Sequence, residues 1–204
     1  MTTTFSIDTL LPYLDWNYFF RAWQVADAPE EVKDELKTEA MELLAEWEDK
    51  TVKVLAIRSR ASRAGDEIVT DILRFPCPRQ KNEPYLCLAD FVGDEAEVTF
   101  YATSFDVAPS DDVYRQMLQQ TLSDRLAEAA SAKLSEELAK ENGGLAFAVG
   151  YPSLPDQSLM FDFDRAMDLS QIGITLTETG MMVPHASVCC IFVPGKDVKY
   201  FSVC

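Results

Sequence analysis

The sequence predicts an α+β fold: a curved, mainly antiparallel sheet flanked by helices, including one long helix over about 110–142. Three observations predict it. β-type runs come in pairs around turn residues instead of alternating with helices, which disfavours a parallel, doubly wound sheet. One stretch between Ser110 and Gly143 keeps apolar residues mostly four apart without a break. The chain has 204 residues, 48% of them hydrophobic and 25% charged, which suits one domain spanning 1–204 with a sizeable core of its own.

Taken in order, residues 6–26 are an opening segment dense in aromatics: Tyr13, Trp16, Tyr18, Phe19, Phe20 and Trp23. Pro29 then starts an amphipathic helix to about Lys50. Val32, Leu36, Ala40, Leu43, Leu44 and Trp47 recur three or four apart there, with Glu and Lys between them. Residues 51–59 switch to a β-type run, Ala64-Gly65-Asp66 signals a turn, and 67–75 is the return strand of a hairpin. A loop from Pro76 to Pro84 follows. Residues 85–92 and 97–105 read as a second hairpin around Gly93-Asp94.

Ser110 is the expected cap of the long helix, with Asp111 and Asp112 in the first turn, where the helix dipole favours anions. Gly143-Gly144 stops it. The remainder mixes a Pro-rich loop (Pro152, Pro155), a short helix near 161–168 and strands near 172–178, 187–193 and 199–203. No internal repeat or low-complexity segment is present.

Composition excludes several functions. Lys and Arg total 18 against 34 Asp and Glu, a net charge of −16. Nucleic-acid binding rests on clustered cations, and anionic membrane surfaces attract them, so neither partner is expected. No apolar run approaches the ~18 residues of a bilayer span. The start, Met1-Thr2-Thr3-Thr4-Phe5, lacks the basic and apolar regions of a signal peptide. Cysteines stand at 77, 87, 189, 190 and 204 without a C-x-x-C, which reads as free thiols in a reducing cytoplasm. Cys189 and Cys190 in a strand would point to opposite faces.

No four-ligand zinc pattern, Gly-rich phosphate loop or Gly-x-Ser-x-Gly elbow occurs. The single histidine, His185, reads as a loop or strand-edge residue. Paired with a cysteine it would define an independent small-molecule enzyme.

Seven segments in a fixed order carry a more specific reading. They are Tyr13-Leu14-Asp15-Trp16 with Phe19-Phe20 and Trp23, Gly65-Asp66-Glu67-Ile68, and Tyr85-Leu86-Cys87-Leu88-Ala89-Asp90-Phe91-Val92. Asp124-Arg125-Leu126-Ala127-Glu128-Ala129 and Gly150-Tyr151-Pro152-Ser153-Leu154-Pro155-Asp156 come next. Ile172-Gly173-Ile174-Thr175-Leu176-Thr177-Glu178-Thr179 and Lys199-Tyr200-Phe201-Ser202-Val203 complete the set. Together they resemble the activation (reactivation) domain of cobalamin-dependent methionine synthase, in register from about residue 7 to 203 and here as a free-standing chain.

The resemblance implies reductive methylation. Such a domain docks over a cobalamin held by its partner and presents S-adenosylmethionine, and an electron from a flavodoxin-type reductant helps restore methylcobalamin. It implies an accessory protein acting in trans on a truncated methionine synthase, a component of that methyltransferase activity with no catalytic residues of its own. For the ligand, the family's aspartate aligns with Asp15, facing the α-ammonium. Gly150 and Tyr151 match its Gly-Tyr, Tyr200 and Phe201 match contacts near the chain end, and Glu128 with Asp124 falls on one face of the long helix.

One departure stands out. The family's Arg-x-x-x-Gly-Tyr places an arginine where this chain has Ala146. Losing that charge-assisted bond weakens S-adenosylmethionine by roughly 10–150-fold, unless another cation, such as Arg58, Arg60 or Arg63, replaces it. The alternative is a module that docks on and caps a cobalamin or corrinoid protein without binding S-adenosylmethionine. In either case the acidic surface calls for a basic patch on the partner.

Overall fold

The computed structural model describes residues 1–203; Cys204, the fifth thiol of the sequence, lies outside them. β1 (Thr2–Ser6) leads into α1 (Ile7–Leu10), a 3-10 turn at Leu11–Tyr13, α2 (Trp16–Ala22) and α3 (Glu30–Glu46). β2 (Thr51–Ala64) follows and turns back at Gly65 into β3 (Glu67–Thr70), which pairs with β4 (Arg74–Pro76). β5 (Ala96–Ser104), α4 (Val113–Asn142) and β6 (Leu145–Ala148) come next. The chain ends with α5 (Leu159–Met167), the small β7 (Thr175–Leu176)/β8 (Met182–Val183) pair, and β9 (Ser187–Val193).

The main sheet runs β4-β3-β2-β5-β9-β6, with β1 also on β2, and every pairing is antiparallel. It curls into a half-barrel with the long helix against it, the fold class expected from the sequence.

Several elements differ from expectation. Residues 85–92 form no strand: Cys87, Leu88, Ala89 and Val92 are buried, but around a 3-10 turn at Leu88–Phe91, and β5 pairs with β2 and β9 instead. A short apolar run does not by itself distinguish a strand from another buried segment. Arg79 fastens this arm, with Nη2 2.6 Å from Asp66 and Nη1 2.7 Å from Asp90. Residues 199–203 form no strand either. Their anchors are the Val203 N–H to Pro152 O (3.0 Å), Gln80 Nε2 to Ser202 O (2.6 Å) and a hydrogen bond from Ser153 Oγ to Phe201 O. Of the expected strand at 172–178 only Thr175–Leu176 pairs.

The cap of α4 is Asp112, whose Oδ1 accepts from the Arg115 N–H at 2.7 Å; Ser110 instead accepts from the Asp112 N–H. β1 and β6 lay outside the expected elements. β1 is almost wholly exposed, so it has no apolar alternation to show.

Alternation along the central strands separates two layers. Phe100, Ala102, Cys189, Ile191 and Val193 face one apolar core together with Phe75 and Phe163. Tyr101, Cys190 and Phe192 face α4, where Leu134, Leu138 and Ala139 pack against them. The two adjacent cysteines therefore do point to opposite faces. A third cluster joins α1–α3 to the first half of α4 through Leu43, Leu44, Trp47, Leu122 and Leu126. Fully buried Ala127 and Ala130 let α4 approach the sheet closely. Thr103 Oγ1 donates to Ala127 O at 2.9 Å, and Tyr101 Oη lies 2.9 Å from Ser131 Oγ.

Candidate functional site

α4 and the strands β6 and β9 carry small side chains where they face each other, and the contact stays open. Ala146 and Ala148 on β6 and Val188 and Cys190 on β9 form the floor of a groove of about 320 Å³, with Ser131 and Glu128 of α4 above. Tyr18, Tyr151 and Tyr200 border it, each a little over half exposed. A second groove of about 240 Å³ adjoins it and shares Glu128, Tyr151 and Val188. Asp124, Arg125 and His185 supply its polar wall, and Met160, Met181 and Met182 its apolar one.

Glu128 is the electrostatic centre. Its carboxyl lies 2.8 Å from Arg125 Nη2. Burial raises its pKa above the ordinary carboxylate value. Asp124 and Asp15 push the same way, and Arg125 opposes them. Burial and the nearby Glu128 also raise the Tyr151 phenol, so it stays protonated at neutral pH. Burial pushes the Cys190 thiol up to about 11, which makes it a wall and not a nucleophile.

Asp15 is exposed and caps α2, its Oδ1 accepting from the Asn17 N–H at 2.9 Å and the Tyr18 N–H at 3.1 Å. That cap fixes the start of the helix that carries Tyr18, and Asp15 still reaches Glu128 through its field. Gly150 adopts φ +85°, and a Cβ there would lie 2.3 Å from Gln157 Oε1. Gln157 also donates to Gly180 O at 2.8 Å, so one side chain joins the Gly150-Tyr151 turn to the β7/β8 turn. A larger residue at 150 would be strained and would displace that link.

Glu128, Tyr151 and Tyr200 of the predicted set thus converge on the groove, with Gly150 adjoining and Asp15 in electrostatic range. Phe201 does not join them. It is buried against Phe91 and Phe147, at ring distances of 5.9 and 6.3 Å. Tyr200, its neighbour, stacks on Phe147 with the planes 5° apart and faces the groove.

Arg58, Arg60 and Arg63 pair with Glu97, Asp71 and Asp90 and line neither groove. The cation that lines one is Arg125, which the sequence reading quoted within a motif without giving it a role. Its spacing of three from Glu128 on one helix was the available signal. His185 Nδ1 sits 3.0 Å from Asp124 Oδ1 and 3.3 Å from Gln120 Nε2; these partners, not a cysteine, define its setting. Among the described residues no cluster of His, Cys, Asp and Glu is placed to hold a metal ion. None of their helices is long and apolar enough to cross a membrane.

The chemistry of the grooves suits a cationic ligand with a flat aromatic part. Three carboxylates (Asp15, Asp124 and Glu128) act on the site against one guanidinium. Exposed tyrosine rings offer faces for stacking and for a cation.

Comparison with known proteins gives the chain a family and matches its fold. The family model for the activation domain of vitamin B12 dependent methionine synthase matches residues 6–147 and 135–204. Among solved structures, the MetH reactivation domain bound to AdoHcy matches with a TM-score of 0.88 at 23% identity, over 100% of this chain and 80% of that one. At that identity the structural likeness speaks for the fold.

Proposed function

The chain belongs to the activation-domain family of vitamin B12 dependent methionine synthase, and from that membership we propose that it is an accessory reactivation protein, presenting S-adenosylmethionine to the oxidised cobalamin of a methionine synthase. The proposal includes action in trans, with the cobalamin domain on a separate partner chain and a flavodoxin-type donor as reductant. The observation that carries it is the convergence of Glu128, Tyr151 and Tyr200 on one groove, with Asp15 acting on Glu128 through space.

The residues fit the ligand. S-adenosylmethionine carries a sulfonium, an α-ammonium and an α-carboxylate, a net charge of about +1 that three carboxylates around one arginine favour. The tyrosine faces can cover the adenine and the sulfonium. When the methyl group leaves, the C–S bonding pair stays on sulfur, so the positive charge disappears and the product AdoHcy is neutral overall. The groove then holds its occupant less strongly, which favours release after each transfer. A reduced cobalamin held by the partner would supply the electron pair that accepts the methyl group, and the external donor the electron needed to reach that reduced state.

The test is to add the purified chain to a methionine synthase fragment holding cob(II)alamin, with S-adenosylmethionine and a reductant, and follow the visible absorption. Conversion to methylcobalamin that depends on the chain is the expected result; an unchanged cob(II)alamin spectrum would sink the proposal.

Ala146 favours a second reading. It lines the groove where the family pattern carries arginine, and Ala148, Val188 and Cys190 beside it are uncharged. On that reading the chain docks on and caps a corrinoid protein without using S-adenosylmethionine. A titration with S-adenosylmethionine separates the two: saturable binding supports the first, and no binding alone or with the partner supports the second.

A further inference from the structure

We propose that Arg125 takes the α-carboxylate of the S-adenosyl ligand, in the role that an arginine at position 146 would fill. This rests on the reading under Proposed function and names the group that completes that site.

The cation inventory leads to it. Of the residues lining the two grooves, Arg125 is the one Lys or Arg. The three arginines near the Gly65 turn are committed to Glu97, Asp71 and Asp90 and line neither groove. Arg21, 5.6 Å from the Tyr18 ring, lines neither groove, so a carboxylate brought into them meets the Arg125 guanidinium on their wall.

The setting of Arg125 is that of a held but underused fork. Its side chain is 16% exposed, and its guanidinium carbon lies 5.7 Å from the centre of the Tyr18 ring. Tyr18 sits in the first turn of α2, whose end Asp15 caps. Nη2 donates to Glu128 Oε1 at 2.8 Å, while the buried Nε has no hydrogen-bond partner. A buried N–H without an acceptor is a standing cost that a ligand oxygen relieves. The planar fork matches the two oxygens of a carboxylate, which a lysine at this place would not reproduce.

Position explains how Arg125 can stand in for a residue on another element. It lines one groove and Ala146 the other, and Glu128, Tyr151 and Val188 belong to both. A ligand spanning this shared wall reaches Arg125 with its carboxylate and Glu128 with its ammonium. The Arg125–Glu128 pair opens to admit a zwitterion, and each partner exchanges one counterion for another. The smaller Ala146 leaves the neighbouring groove free for the rest of the ligand.

Calorimetric titration of the full chain tests this with two ligands, S-adenosylmethionine and its decarboxylated form, which keeps the sulfonium and the amine. Arg125→Gln is expected to weaken S-adenosylmethionine by about 10–150-fold and not to weaken the decarboxylated form, which loses a like charge near its amine and so binds as well or better. Adding Ala146→Arg to that variant is expected to regain affinity for S-adenosylmethionine only. Equal losses for both ligands, or no loss for either, would overturn the assignment, and so would a double variant that regains nothing. If Arg125→Gln melts early, Arg125→Lys, which keeps the charge and the aliphatic stem, is expected to weaken S-adenosylmethionine selectively. A wild-type chain that binds neither ligand, alone or with the cobalamin domain present, defeats the parent reading instead, and it does so before any variant is made.

Discussion

The two faces of the main sheet are built from the same strands but are finished differently. On one, Phe75, Phe100 and Phe163 meet edge-to-face with ring centres 5.2–6.4 Å apart, fully buried and closed by α5. On the other, the contacts to α4 include hydroxyls (Tyr101, Thr103, Ser131), alanines and a buried thiol, and between them the helix and sheet leave two grooves. Interdigitated aromatic rings fill volume, whereas small and polar side chains leave space unfilled wherever helix and sheet diverge. The closed face supplies stability that lets the other face stay incompletely packed.

The largest expected effect that tests this contrast is on the closed face. Phe100→Ala should lower the unfolding free energy by about 3–5 kcal/mol in a denaturant titration, while the molecules that remain folded keep their ligand affinity. Loss of both together would show that the layers are not separable. Tyr101→Phe, one residue along and on the opposite face, should cost only about 1 kcal/mol, because it removes the hydrogen bond to Ser131 and no volume. A cost equal to that of Phe100→Ala would erase the distinction.

The smallest expected effect is a dependence on pH. The folded state holds the Glu128 proton more tightly than the unfolded chain does. Its contribution to stability is therefore present at low pH and declines as pH climbs from the ordinary carboxylate value of about 4.3 through the raised one. Affinity for a sulfonium should rise over the same interval, since the ionised carboxylate attracts it. Stability and affinity thus change in opposite directions, and Glu128→Gln should flatten both slopes. Melting temperatures and titrations across that interval check it; parallel slopes would assign the groove's charge to another group.

Legibility from sequence follows the same division. α4 can be read because apolar residues recur at helical spacing along most of its thirty residues, up to the stop at Gly143. β2 and β3 can be read because a turn signal separates two β-type runs. β6 has only four residues and pairs with a strand more than forty positions away, so local pattern does not reveal it. Residues 85–92 mislead because burial alone looks the same in a 3-10 turn as in a strand.

In the candidate site, Glu128, Tyr151 and Tyr200 line one groove. Phe201 is turned to the other side by the alternation of an extended segment. Arg125 is hard to place from sequence, beyond its spacing of three from Glu128, because which way it faces depends on how α4 is rotated against the sheet, a matter of tertiary packing.

The strict alternation of β6 and β9 has one more consequence, for how this protein can change. Along 188, 190 and 192, and at 146 and 148, side chains face the helix and the grooves; 189, 191, 193 and 147 belong to the closed core. Neighbouring codons therefore answer to different constraints. Mutations at one set can re-specify what the groove accepts while the other set goes on maintaining the fold. An alanine at 146 is the kind of exchange such a strand tolerates: under the proposed function it changes what the groove offers a ligand without touching the layer that keeps the domain folded.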